Sequence, residues 1–182
     1  MFRNIKNLFI LLCLLMMSMI AYSDVKAPSK VTFDGEVYKQ SSKEGDGIKT
    51  DLYVEYLRKG ETINNYKKLV AIWECPNDKD VKKFAQSLMN DEKYPNFESG
   101  MTVSKDGSEV VVNYIIGYET NQQFNIFRVM KRNGHVVAYQ YIYSNYTNMS
   151  GKNNKEWVKW IDNIKQNKSR WIDEINKANY AN

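Results

Sequence analysis

The sequence predicts an α+β fold: a single domain in which an antiparallel sheet of about six or seven strands packs against two helices. Three observations predict it. From Ser108 to Tyr146, three runs rich in Val, Ile, Phe and Tyr are separated by Glu119-Thr120-Asn121 and by Asn133-Gly134, the pattern of an antiparallel meander. Val81, Phe84, Ala85, Leu88 and Met89 recur at helical spacing on one stripe. A second stripe near the C-terminus, Trp157, Trp160, Ile161, Ile164, Trp171, Ile172 and Ile175, is long and heavy in tryptophan.

Taken in order, residues 1–23 read as a secretory signal. Arg3 and Lys6 precede the apolar run Leu8–Ile20, and Ala21-Tyr22-Ser23 supplies small residues for cleavage after Ser23. The run is too short to prefer a membrane-spanning helix, which needs about 20 apolar residues. No stable membrane span is therefore expected after cleavage, and the mature protein is expected in the periplasm or outside the cell. Residues 24–30 form a polar leader, and residues 31–182 form the domain. Losing Arg3 and Lys6 lowers the formal charge from +5 to +3, too mild and too scattered to point to nucleic acid. One cysteine, Cys75, lies beyond the signal, so no internal disulfide can form.

Val31–Gln40 reads as the first strand and Ser41–Gly47 as a polar loop. Asp51–Leu57 alternates, with Leu52, Val54 and Tyr56 on one face. A helical turn capped by Thr62 is expected at Thr62–Tyr66, leading into a strand at Leu69–Cys75. Pro76 stops that strand, and Asn77 or Asp78 caps a helix over about Lys79–Glu92. Tyr94-Pro95 ends the helix. Phe97–Val103 is a strand, Lys105-Asp106-Gly107 a hairpin turn, and the meander follows. Asn148–Asn154 is a loop, and the last helix runs over about Lys155–Ala178, capped by Asn153 or Asn154.

The chemistry-bearing residues exclude more than they propose. Cys75 and His135 are the only thiol and imidazole outside the signal. His135 follows Asn133-Gly134 and is expected at a hairpin tip in water, whereas Cys75 ends an apolar run, so a nucleophile pair is not expected. One Cys and one His fall short of a zinc set, and Glu44-Gly45-Asp46-Gly47 lacks the further ligands of a calcium loop. No phosphate loop, dinucleotide fingerprint or nucleophile elbow is present, and no catalytic residue, cofactor or metal is assigned. Glu55, Glu61, Glu74 and Glu119 lie in or beside strands, but their spacing selects no acid and base.

Two groups remain as candidate binding residues. Asn113, Asn125, Arg128 and Gln140 interrupt apolar strands, and they face water or line a polar pocket. Arg128 could hold a carboxylate bidentately. Tyr139, Tyr141 and Tyr143 share one strand face, as packing beneath a helix or as an exposed platform for a partner.

The motifs Gly60-Glu61-Thr62-x-x-Asn65-Tyr66-x-x-Leu69, Phe124-Asn125-x-Phe127-Arg128 and Ala138-Tyr139-Gln140-Tyr141 together resemble a group of small exported bacterial proteins of uncharacterised function. The architecture looks like the PsbP/Mog1 type, an antiparallel sheet between helices. Neither resemblance implies catalytic residues. The sequence thus leads to a non-enzymatic exported binding protein, acting on an envelope or secreted protein partner or a small ligand, with an inhibitor or immunity protein as one version. The alternative is an envelope enzyme using carboxylates and Arg128 in a pocket on the sheet.

Overall fold

The computed structural model describes residues 27–90, 96–117, 121–146 and 155–180, with the side chains of residues 96 and 97 excepted. Its elements are β1 (Lys30–Phe33), β2 (Glu36–Glu44), β3 (Leu52–Leu57), β4 (Lys68–Cys75), α1 (Val81–Met89), β5 (Asn96–Val103), β6 (Glu109–Gly117), β7 (Gln122–Arg132), β8 (His135–Asn145) and α2 (Lys155–Lys177). The strands form one eight-stranded sheet in the order β1-β2-β3-β4-β8-β7-β6-β5, antiparallel at every pairing. The sheet is thus two four-stranded meanders joined by the pairing of β4 with β8.

The eighth strand corrects the expected six or seven. Val31–Gln40 is not one strand, because Asp34 and Gly35 both take positive φ, 53° and 70°, and fold it into the β1–β2 hairpin. This is the backbone that a two-residue primed turn demands, and the one that Asn133 and Gly134 adopt at the β7–β8 turn. β2 then continues to Glu44 with an irregularity between Gln40 and Ser42, so half of the expected polar loop is strand. Thr62–Tyr66 contains no helical turn. Thr62 and Asn65 form an isolated bridge instead, and Glu61 Oε1 accepts from the backbone N–H of Lys67. α1 is capped by Asp80, whose side chain accepts from Lys83 N, rather than by Asn77 or Asp78. The expected stops and caps at Tyr94-Pro95, Asn153 and Asn154 lie outside the described residues.

The two helices cover opposite faces. Period-two alternation sends Val70, Ile72, Tyr139, Tyr141 and Tyr143 to the face beneath α2, where Trp160, Ile164, Trp171 and Ile175 close the main core. Val110, Val112, Phe127, Val129, Val136 and Ala138 face the other way and pack against Val81 and Ala85 of α1. A smaller cluster on the α1 side joins Leu57, Tyr66, Leu69, Ala71 and Ile142.

Candidate functional site

The predicted binding residues do not converge, because strand parity separates them. Asn125 and Gln140 lie on the α1 face and satisfy each other. Gln140 Nε2 donates to Asn125 Oδ1 at 2.9 Å, Trp73 Nε1 donates to Gln140 Oε1 at 2.8 Å, and Asn125 and Gln140 are 3% and 5% exposed. Arg128 lies on the α2 face. Its Nε and Nη2 grip Glu109 at 2.9 and 2.8 Å, and Nη1 donates to the carbonyl of Ala178 at 2.9 Å. The expected bidentate carboxylate is therefore one of the chain's own. Arg128 ties β7 to β6 and to the end of α2. Tyr139 and Tyr141 are fully buried, and Tyr143 nearly so. The three rings pack beneath α2, with Tyr143 5.5 Å and Tyr141 5.2 Å from the Trp171 ring, so they present no exposed platform.

His135 is not in water. It is 4% exposed, and its Nε2 lies 2.7 Å from Oε1 of Glu74, itself 2% exposed. The register pairs Glu74 with Val137, which leaves His135 on the adjacent diagonal of the same face. A buried carboxylate needs such a partner. Cys75 points to the opposite face, into the α1 core, so no Cys–His pair forms. Burial pushes its thiol up to about 12, with Asp51, Asp78 and Glu74 adding to the shift. The acids singled out in the sequence have separate attachments: Glu55 accepts from Ser42 and Tyr53, Glu61 from Arg58, and Glu74 faces His135. Glu119 lies outside the described residues. Among the described residues, no cluster of His, Cys, Asp or Glu is placed to hold a metal ion, and no helix is long and apolar enough to cross a membrane.

What the structure adds is a cleft. On the β5–β6 side of α2, a cavity of about 470 Å³ opens between helix and sheet. Its floor is Ile115 and Phe124, neighbours across β6 and β7. Its helical wall is Trp157, Ile161 and Ile164, at i, i+4 and i+7 of α2. Lys165 and Lys168 follow one step around the same helix, and Glu98 faces them from β5. Glu98 takes a positive φ of 54° at the irregularity between Phe97 and Gly100, which bends the edge strand beside the cleft. The volume lies within the range of about 300–1,000 Å³ usual for small-ligand sites. Sequence reasoning missed this cleft. It found the apolar stripe of α2 but took the lysines only as scattered charge, without placing Lys165 and Lys168 beside that stripe.

The other flank of α2 is held by charge. Asp34, at the β1–β2 turn, is 8% exposed at its side chain. Its carboxylate accepts from Lys68 Nζ at 3.2 Å, from Trp171 Nε1 at 3.0 Å, and from Arg170. Lys68 also reaches Glu36 at 2.6 Å, and Arg58 bridges Glu36 and Glu61. Burial would raise the carboxyls of Glu36 and Glu61, but hydrogen bonds from Lys68 and Arg58 for Glu36, and chiefly from Arg58 for Glu61, outweigh it and hold both below the ordinary value.

Residues 25–180 match a protein-family model, that of a family of uncharacterised function. The chain belongs to this family. No curated protein and no solved structure matches it. The family match spans the whole described fold and assigns no residue a role, so the chemistry of the clefts is read from their geometry.

Proposed function

We propose that the protein is an exported, non-enzymatic binding protein, and that its ligand is a small amphipathic anion, an acyl chain ending in a carboxylate. The observation that carries this reading is the cleft beside α2, where an apolar floor and wall end at Lys165 and Lys168. An acyl chain would remove water from Ile115, Phe124 and Ile161, worth about 25 cal/mol per Å² of apolar surface covered. The two lysines oppose a single rim acid, Glu98, so the mouth favours a negative head group. Arg128 lines neither this cleft nor the recess on the other flank of α2, and each of its three nitrogens already donates within the fold, which weighs against the enzyme reading. We read residues 1–23 as removed after Ser23 and the mature domain as periplasmic or secreted. The likeness to the PsbP/Mog1 type extends in our reading only to the helix–sheet–helix layering, and a layering carries no function.

The test is titration of residues 24–182 with dodecanoate below its micellar concentration, followed by the part of the tryptophan emission that a Trp157→Phe variant loses. Saturable binding is expected, weakened about tenfold by combining Lys165→Glu and Lys168→Glu, and weaker for dodecanol than for dodecanoate. No emission change, or equal binding of acid and alcohol, would sink the reading.

A protein partner is the second reading, and the outer edge of β5 favours it. Ser99-Gly100-Met101-Thr102-Val103-Ser104 carries no charge. Met101 and Val103 are 38% and 41% exposed, and the outer edge has no strand partner among the described residues. Such an edge accepts an added strand. Affinity capture from envelope extract would then recover a stoichiometric partner with the wild type and lose it with Met101→Lys. Equal recovery with the variant would rule out the edge.

A further inference from the structure

The charged flank of α2 encloses a recess of about 380 Å³, independent of the apolar cleft and opposite to it in chemistry. Arg58, Lys67, Lys68 and Arg170 border it, against one acid, Asp34. Asp34 already accepts from the three donors described above. Glu36 and Glu61, which complete the ion-pair string, do not border the recess.

Counting donors shows a surplus. Lys68 Nζ has three N–H groups and spends two, on Asp34 and Glu36. Lys67 Nζ makes no ion pair among the described residues. Arg170 spends Nη1 on Asp34 and Nη2 on Asn167 Oδ1, and the rest of its fork is free to bind. Tyr143 is the independent observation. It is 6% exposed, pairs directly with Lys68 across β8 and β4, and borders the recess, yet its hydroxyl has no hydrogen-bond partner among the described residues. The hydroxyl opens into the recess rather than into the core, so a ligand oxygen can take the place of water on it. The amides of Asn163 and Asn167, one turn apart on α2, complete a polar wall; Asn167 already donates one N–H to the Asn163 carbonyl and accepts from Arg170, which leaves its second N–H and the Asn163 amide for a ligand.

We propose that this recess binds a monosaccharide bearing one oxyanion group, a sugar phosphate or a sugar acid, with the oxyanion on Lys67, Lys68 and the Tyr143 hydroxyl and the sugar hydroxyls against Asn163 and Asn167. The two sources share this chemistry, and titration separates them. Residues 24–182 are titrated calorimetrically at low salt with glucose 6-phosphate, glucuronate, inorganic phosphate and glucose, alongside Lys67→Ala and Tyr143→Phe. Neither altered side-chain group has a partner within the described residues, so both variants are expected to unfold at the wild-type temperature.

At least one anionic sugar is expected to bind, about tenfold more weakly to each variant and more weakly still at raised salt. The tighter of the two identifies the oxyanion. The proposal is overturned if neither anionic sugar binds in the millimolar range. It is also overturned if both variants bind like the wild type, if glucose binds as well as the anionic sugars, or if inorganic phosphate does, since the amide wall would then contribute nothing. A variant that unfolds early is replaced by Lys67→Gln or by the salt dependence of the wild type, which reads the same contact.

Discussion

The hydroxyl of Tyr141 has no hydrogen-bond partner within the core beneath α2, while the side chain of Gln140, its neighbour, is bonded at both ends. The two residues should therefore respond in opposite ways to loss of polarity. Tyr141→Phe removes an unsatisfied group and keeps the ring against Phe33 and Trp171, so the unfolding temperature should hold or rise. Gln140→Leu strands Trp73 Nε1 and costs about 1–3 kcal/mol, read as a lower urea midpoint at unchanged slope. The Cys75 thiol, pushed up to about 12 by burial, should ignore a disulfide reagent at pH about 8 in the folded protein and react at once in denaturant. Reaction in the native state would place the thiol outside the core. At this scale, the sequence pointed to the unusual residues but not to their partners. Asn125, Arg128 and Gln140 stood out as polar groups in apolar strands. The meander pattern implied that β6 would pair with β7, but that Arg128 would meet Glu109 depended on their register, which sets Glu109 opposite Met130 and Val111 opposite Arg128. His135 misled for the same reason: its neighbours in sequence mark a turn, whereas its neighbour in space is a buried carboxylate.

Hairpins show which elements were legible. Asn133-Gly134 and Lys105-Asp106-Gly107 were read correctly because polar residues surround each turn. Asp34-Gly35 carries the same chemistry and was missed, because Phe33, Val37 and Tyr38 close around it like one apolar run. The hairpin matters, since its Asp34 fixes the charged flank of α2, and the string running on to Glu61 makes that flank acid-sensitive. Glu36 and Glu61 are held below their ordinary value of 4.5 when folded. A depressed carboxyl stabilises fully above its unfolded value and loses that stabilisation as pH falls through the folded one. Arg58→Gln removes a partner of both. The stability gap between this variant and the wild type should narrow as pH drops from about 6 to about 3, measured by urea melts. A constant gap would mean that the string does not couple to protonation. α2 itself depends on its anchors. Trp171 is 1% exposed, and Trp171→Ala should cost about 3–5 kcal/mol, enough to approach the whole stability of a domain this size.

Across the whole molecule, the α+β class and the single sheet could be read from periodicity alone, because strand and helix periods are local properties. The clefts could not. Both arise from the line along which α2 crosses one row of the sheet, Ile115, Phe124, Tyr143 and Lys68, and that crossing is set by packing between residues far apart in sequence. The row is apolar under one flank of the helix and charged under the other, which makes one flank suited to a chain and the other to an ion. The same crossing joins the first hairpin to the last helix. The backbone N–H of Asp34 donates to Glu174, its carboxylate binds Arg170 and Trp171, and the Tyr180 hydroxyl donates to the carbonyl of Thr32. These contacts reach across about 140 residues, from the β1–β2 hairpin to α2 and the residues just after it. A chain truncated after Lys168 should therefore leave the β1–β2 hairpin exchanging its amide hydrogens quickly, whereas the full chain protects it. The first hairpin is thus fastened by the last helix, and its amide protection reports whether that fastening has closed.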